Sequence, residues 1–309
     1  MRFPFAEHKG PIKIPPVAYL KACARIIAHR TMPLRWSLMM SVWEARLRMR
    51  LEPERREHIQ GFLKDFLPSE TSREQLERAA CLSLAIRRIG VRTYAPVWRR
   101  SREWLLHHFR PEGLGQLEEL KRSGGGAIIL GTGMGLKLWV EPILRQLGYR
   151  LHSLQRKGVT AQALLLMRWE GVASEIAPYA RGGESAVYMK KLHDLVKQGE
   201  WVRHVGQDSA HDNPVKGRLR SVEATSGRGP WLIARATGAP LIPVVVLMDA
   251  DFRCRLVVDQ PIHVAGQGSA ASAIEAAFQS YLDVIKRHLL RVPWNFMGAS
   301  SWLKMAATP

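Results

Sequence analysis

The stretch GGGAIILGTGMGLKLWVEPILRQLGY, residues 124–149, decides the reading of this chain. A glycine cluster leads into the apolar run Ala127–Leu130, and Gly131, Gly133 and Gly135 close it. A short apolar run bounded by turn residues reads as a buried strand. Beyond it, residues 136–147 read as a helix that stops at Gly148, a residue suited to a helix C-terminus. Strand, glycine loop and helix in that order form the opening unit of an α/β sheet.

The same alternation continues downstream. RLHSL (150–154), WVRHVGQ (201–207), PLIPVVVLM (240–248), CRLVVD (254–259) and PIHV (261–264) read as strands. Helices are expected at 160–170, 185–198, 230–237 and from about 269, where Ile274, Phe278, Tyr281, Ile285 and Leu289 share one stripe. The expected fold class is α/β, with a mostly parallel central sheet flanked by helices.

Upstream, residues 1–16 form an irregular arm rich in Pro and Gly, and residues 17–50, 52–66 and 72–90 read as helices. Ser72 followed by Gln75 predicts a capping box at the start of the third. Residues 1–110 thus make a helical N-terminal region and residues 111–309 an α/β core, integrated as one domain.

The 309 residues hold 46 Lys+Arg against 27 Asp+Glu, a formal charge of +19. Such a field attracts polyanions: nucleic acid, an anionic membrane surface or an acidic carrier protein. No nucleic-acid reading motif is present, so nucleic acid is not an expected partner. In RWSLMMSVWEARLRMR (35–50) the basic residues alternate with Trp, Leu and Met, a mixture suited to a lipid interface. Leu34, Leu38, Val42, Ala45 and Met49 recur at helical spacing there, so one stripe can pack on the core while another faces lipid. No run of about 20 apolar residues is present, so membrane attachment is expected to be peripheral. Cys23, Cys81 and Cys254 are far apart and form no CxxC pair, which argues against a zinc site or a disulfide framework.

Ligands of parallel sheets sit beyond the carboxyl ends of the strands. Two loops there carry candidate chemistry. Gly131-Thr132-Gly133-Met134-Gly135 is open to three readings: a phosphate loop, a turn with a packing role, or an oxyanion or acyl-phosphopantetheine site. Its spacing is GxGxG rather than GxGxxG. The second loop, His204 to Asp212, holds His204, Asp208, His211 and Asp212. These can supply a base with an orienting carboxylate, bind a divalent metal, or satisfy backbone groups of a polar loop. The HxxxxE spacing at His107–Glu112 lies upstream of the first core strand and reads as coincidence.

The segment GAIILGTGMGLKLWVEPILRQLGYRL resembles the lipid A late acyltransferases, the bacterial branch of the lysophospholipid acyltransferase superfamily. Similarity continues at RGGESAVYMKKLHDLVKQGEWVRHVGQD (181–208) and at ATSGRGPWLIARATGAPLIPVVV (224–246), whose Thr-Gly-Ala-Pro block is its most specific part. MPLRWSLMMSVWEARLRMR (32–50) and FLPSE (66–70) have family counterparts too, so the resemblance spans nearly the whole chain. It implies transfer of a fatty acyl group from acyl carrier protein or coenzyme A to a hydroxyl of a glycolipid or phospholipid acceptor. It implies no metal and no bound cofactor, and a place on the cytoplasmic face of the inner membrane. Carried over by position, Arg168 and Asp208 are active-site residues. Gly131, Thr132, Gly133 and Lys137 line the substrate site.

The family's catalytic His-x4-Glu/Asp falls at Gly133 and Leu138 here. Neither can act as a base. The base is then expected at His204 or His211. A second reading is a catalytically inactive relative that binds lipid or a partner protein.

Overall fold

A computed structural model describes residues 34–92, 101–156, 177–179, 184–205, 214–264, 269–295 and 303–304. The expected arm 1–16 and helix 160–170 lie outside them.

The chain is α/β. Three helices come first: α1 (Leu34–Leu51), α2 (Pro53–Lys64) and α3 (Arg73–Arg92). The capping box of α3 is formed in both directions, Gln75 N donating to Ser72 Oγ (3.2 Å) and Ser72 N to Gln75 Oε1 (2.8 Å). Helix α4 (Arg102–His108) runs into strand β1 (Phe109–Glu112), which spans position 110, and α5 (Leu114–Ser123) follows. The core then continues through β2 (Ala127–Gly131), α6 (Val140–Gln146), β3 (His152–Arg156), β4 (Ala177–Tyr179), α7 (Glu184–Lys197) and β5 (Trp201–Val205). A hairpin of β6 (Val215–Leu219) and β7 (Val222–Ser226) precedes α8 (Gly229–Thr237), β8 (Leu241–Met248), β9 (Cys254–Val258) and α9 (Ala270–Arg291). A short strand, β10 (Leu303–Lys304), joins the hairpin in a separate three-stranded sheet.

The main sheet has the order β1-β9-β8-β2-β5-β3-β4. Strands β8, β2, β5, β3 and β4 run in parallel, while β9 is antiparallel to β8 and parallel to β1. All eight residues of β8 are buried, as a strand covered on both faces requires. One face carries Ala127, Ile129, Ile242, Val244 and Val246 and meets α1 to α6 through residues such as Ala45, Ile86, Leu117 and Trp139. The other carries Ile128, Leu130, Leu241 and Val245 and meets α7, α8 and α9 through Leu192, Trp231, Phe278 and Tyr281.

Several elements differ from the sequence expectation. The helix expected at 136–147 is α6, which starts only at Val140. The amides of Gly135 and Leu136 bond instead to Asn295 O (2.7 Å) and Val246 O (2.8 Å), so the chain runs along β8 before it winds. The PIHV strand reduces to one bridge, Ile262 to Leu241. Residues 109–112 form a strand despite Pro111, which an edge position tolerates.

On α1 the expected packing stripe is found at Leu38, Val42, Ala45 and Met49 and widens to include two serines. Ser37, Ser41, Ala45 and Met49 are the buried positions, with Leu38 and Val42 only partly covered. The opposite side exposes Trp36 (60%), Met39, Met40, Trp43 (66%), Leu47 and Leu51.

Candidate functional site

Strands β2 and β5 are hydrogen-bonded neighbours, and Gly131 stands in register with Val205. The carboxyl ends of β2, where the glycine loop begins, and of β5 therefore lie side by side at the same edge of the sheet, about 4.8 Å apart. Arg168, Asp208 and His211 lie outside the described residues.

Within the glycine loop, residues 131–136 are all buried. Thr132 Oγ1 accepts from Met134 N at 3.3 Å and closes a local turn. Gly135 has φ +59°, and a Cβ there would stand 2.1 Å from Val246 O. Only glycine fits that position. The Tyr281 hydroxyl, on α9, donates to Gly131 O at 3.1 Å. The Asn295 main-chain oxygen accepts from Gly135 N at 2.7 Å, its Oδ1 accepts from Met248 N at 2.9 Å, and its Nδ2 donates to Met248 O at 2.8 Å. The amides of Met134, Gly135 and Leu136 are thus engaged by the protein itself. The loop also stands away from a helix N-terminus, since α6 begins five residues after Gly135.

Side chains on a strand alternate between faces. Arg203 and His204, consecutive on β5, therefore project to opposite sides. Arg203 projects to the α6 face. Its Nη1 lies 3.3 Å from Glu141 Oε2, and its Nη2 donates to Lys137 O at 3.1 Å. Glu141 is buried and also meets Arg145 Nε at 3.1 Å. Removing one partner of an ion pair held this far from water leaves the other charge buried and uncompensated. Lys137 itself is partly buried. His204, also partly buried, projects to the face of Leu130 and Pro243, the side of α7 to α9.

The structure therefore brings Gly131, Thr132, Gly133, Lys137 and His204 to one edge of one sheet. It adds Arg203, Glu141, Tyr281 and Asn295, which the sequence reading did not single out. Arg203 had a signal: a charged residue in the middle of an apolar strand demands a buried partner. Asn295 had none, because its role depends on where the chain returns after α9.

Two further clusters are built elsewhere. His288 Nε2 lies 2.7 Å from Asp259 Oδ2, both buried, and Arg287 Nη2 lies 3.1 Å from Asp259 Oδ1. They tie the C-terminal turns of α9 to the end of β9. His107 and His108 are exposed at the end of α4, and His108 stacks on Trp104 at 3.9 Å. Glu112 lies 3.6 Å from Arg255, so the HxxxxE spacing forms no joint site among the described residues. No group of three or more His, Cys, Asp or Glu among the described residues is arranged to hold a metal ion, and no described helix is long and apolar enough to cross a membrane. No family model and no curated protein matches the chain.

Proposed function

We propose that this protein works on lipid at a membrane surface, as an acyltransferase of the lipid A late-acyltransferase type. The observation that carries the membrane part is the face of α1. Trp36, Met39, Met40, Trp43, Leu47 and Leu51 are exposed together on one helix, with Arg46 and Arg50 exposed beside them. A soluble helix normally turns such a face inward. An apolar stripe flanked by arginines suits the boundary of an anionic leaflet, on which the helix lies rather than spans. The net charge of +19 suits the same leaflet and an acidic acyl carrier.

The chemistry rests on the resemblance and on the adjoining carboxyl ends of β2 and β5. In the reaction, an acceptor hydroxyl loses its proton to a base and its oxygen attacks the thioester carbonyl. The C–S bond breaks, an ester C–O bond forms, and the thiolate takes up a proton. Gly133 and Leu138 cannot serve as base, so that role falls to His204, the penultimate residue of β5, or to His211 beyond it. Asp208 orients the base, and Arg168 and Lys137 meet the anionic parts of the substrates.

The engaged amides of the glycine loop favour a second reading, in which the protein binds lipid without turning it over. Purified full-length protein, radiolabelled acyl carrier protein or acyl-coenzyme A, and vesicles carrying glycolipid or phospholipid acceptors decide between them. Labelled lipid product is expected. Vesicle binding without product favours the second reading, and the absence of both overturns the proposal.

A further inference from the structure

A cleft of about 220 Å³ opens where α1, α2 and α3 meet, lined by Ala45, Arg48, Arg55, Leu84 and Arg88. Two carboxylates hold its three guanidinium groups. Arg48 reaches Glu44 through Nε (3.1 Å) and Glu52 through Nη1 (2.9 Å). Arg55 Nη1 meets Glu52 at 2.8 Å, and Arg88 Nε meets Glu44 at 3.1 Å. Three positive charges face two negative ones, so the cleft holds an excess of one positive charge. The hydrogen bond from Arg55 and the fields of Arg55, Arg48 and Arg88 hold the Glu52 carboxyl below the usual carboxylate range.

A guanidinium carries five N–H donors in a planar fork matched to phosphate oxygens. Among the described residues, Nη2 of Arg48 and both Nε and Nη2 of Arg55 have no partner. The carboxylates thus fix the forks in place and leave donors directed elsewhere.

The cleft also has a definite position relative to the exposed stripe of α1. Residues three or four apart are neighbours on a helix surface. Arg48 is therefore beside Leu51, and Glu44 beside Met40, both on the stripe's edge. A helix with its side chains is about 10–12 Å across. An interfacial helix buries its apolar face about 5–10 Å deep. With the stripe in the acyl boundary, the flank carrying Arg48 stands at the level of the headgroups.

We propose that the cleft bounded by Arg48, Arg55 and Arg88 is a binding site for the phosphate of an anionic phospholipid headgroup. This rests on the membrane reading of α1 given above, and it adds a recognised chemical group to a surface that would otherwise adsorb by charge and apolarity alone.

The test is flotation of the full chain with vesicles of phosphatidylcholine alone or with phosphatidylglycerol. Arg55→Gln and Arg88→Gln should each weaken binding to the phosphatidylglycerol vesicles roughly tenfold, as loss of a charge-assisted hydrogen bond does. Binding to pure phosphatidylcholine, whose phosphate is already neutralised by its own choline, should fall much less. Arg73→Gln is the control: it removes the same charge from α3 at a largely exposed site, 15 positions and about 22 Å from Arg88. Arg55→Lys keeps the charge without the fork and should recover only part of the loss, and thermal melts confirm that each variant folds. Loss no greater than that of Arg73→Gln overturns the site. A calorimetric arm uses sn-glycerol 3-phosphate as a soluble probe. Uptake of that probe with no preference for phosphatidylglycerol overturns the headgroup assignment in favour of a free phosphate ligand. The membrane reading is tested separately by Trp36→Ala with Trp43→Ala, which should abolish binding to both vesicle types. Retention there sinks that reading, whatever the arginines do.

Discussion

Arg203 on β5 and Glu141 on α6 are 62 positions apart in the chain, and their charges meet at 3.3 Å beneath the glycine loop. The same guanidinium holds Lys137 O. One side chain thus fixes the path of residues 132–139 against the sheet. Glu141→Leu leaves that guanidinium buried without its carboxylate and should destabilise the protein by about 3–5 kcal/mol. Arg203→Met combined with Glu141→Leu should cost much less, because an apolar pair replaces a buried ion pair at little loss. Urea denaturation of the two variants and wild type measures the difference. Equal losses in single and double variants would show that the pair has no special energetic part.

Gly135→Ala should be among the most damaging single-methyl changes. The left-handed backbone costs an L-residue about 1–2 kcal/mol. The added carbon meets a main-chain carbonyl that belongs to β8 and cannot swing aside. Overpacking adds about 1–3 kcal/mol. Gly148, also at positive φ but with open space around it, should lose only the backbone part on the same substitution. Thermal melts of the two alanine variants test the ranking.

Burial, and then the charges of Asp249 and Asp251, push the Cys254 thiol up to about 12 from its ordinary 9. The unfolded thiol ionises near pH 9, while the folded one stays protonated. The stability from this group is therefore complete below pH 9 and is lost as pH rises from 9 towards 12. The slope is about 1.4 kcal/mol per pH unit in that window. Cys254→Ala should show a shallower decline than wild type between pH 9 and 11, in denaturant melts at each pH. Parallel declines would refute the linkage. At neutral pH, Cys254 should also resist alkylation in the folded protein.

For catalysis, His204→Ala or His211→Ala should lower acyl transfer by about 10²-fold or more, with vesicle binding unchanged. Thr132→Ala should matter less, because Thr132 Oγ1 accepts from Met134 N within the loop. Gly133→His with Leu138→Glu should raise transfer if the pocket still accepts both substrates. Transfer unaffected by either histidine change would exclude both His204 and His211 as the base.

The sequence was most readable where local chemistry decides local structure. Ser72 and Gln75 specify a capping box through two hydrogen bonds four residues wide. The Thr-Gly-Ala-Pro block is a helix stop with its own logic. Thr237 Oγ1 donates to Ile233 O, Gly238 takes the left-handed cap of α8, and Pro240 leads into β8. The eight apolar residues of β8 leave little choice but a strand covered on both faces. The site was less readable, since its parts come together over long separations. Tyr281 meets Gly131 across 150 positions, and Asn295 meets Met248 across 47. The hairpin of β6 and β7 is hard to read because its alternation is weak: in β6 Lys216 and Arg218 flank Gly217 and only Val215 and Leu219 are buried, while β7 buries Thr225 and Ser226 beside Val222 and Ala224. The stripe of α1 was legible at Leu38, Val42, Ala45 and Met49, which all pack on the core, but the packed side extends to Ser37 and Ser41. A hydropathy pattern cannot assign serines to a core, because their burial depends on how closely the neighbouring helix approaches.

The serines of α1 have a consequence for how the protein would enter and leave a bilayer. Ser37, Ser41 and Ala45 recur every fourth residue on its buried side, which packs mainly on α3. Ser41 Oγ donates to Ser37 O at 2.7 Å, so that hydroxyl makes no demand on the surrounding solvent. A seam of small side chains holds by close van der Waals contact rather than by expelling water. On the proposed membrane reading, α1 keeps this packed side on α3 and changes surroundings only at its exposed stripe, so adsorption would need no unfolding.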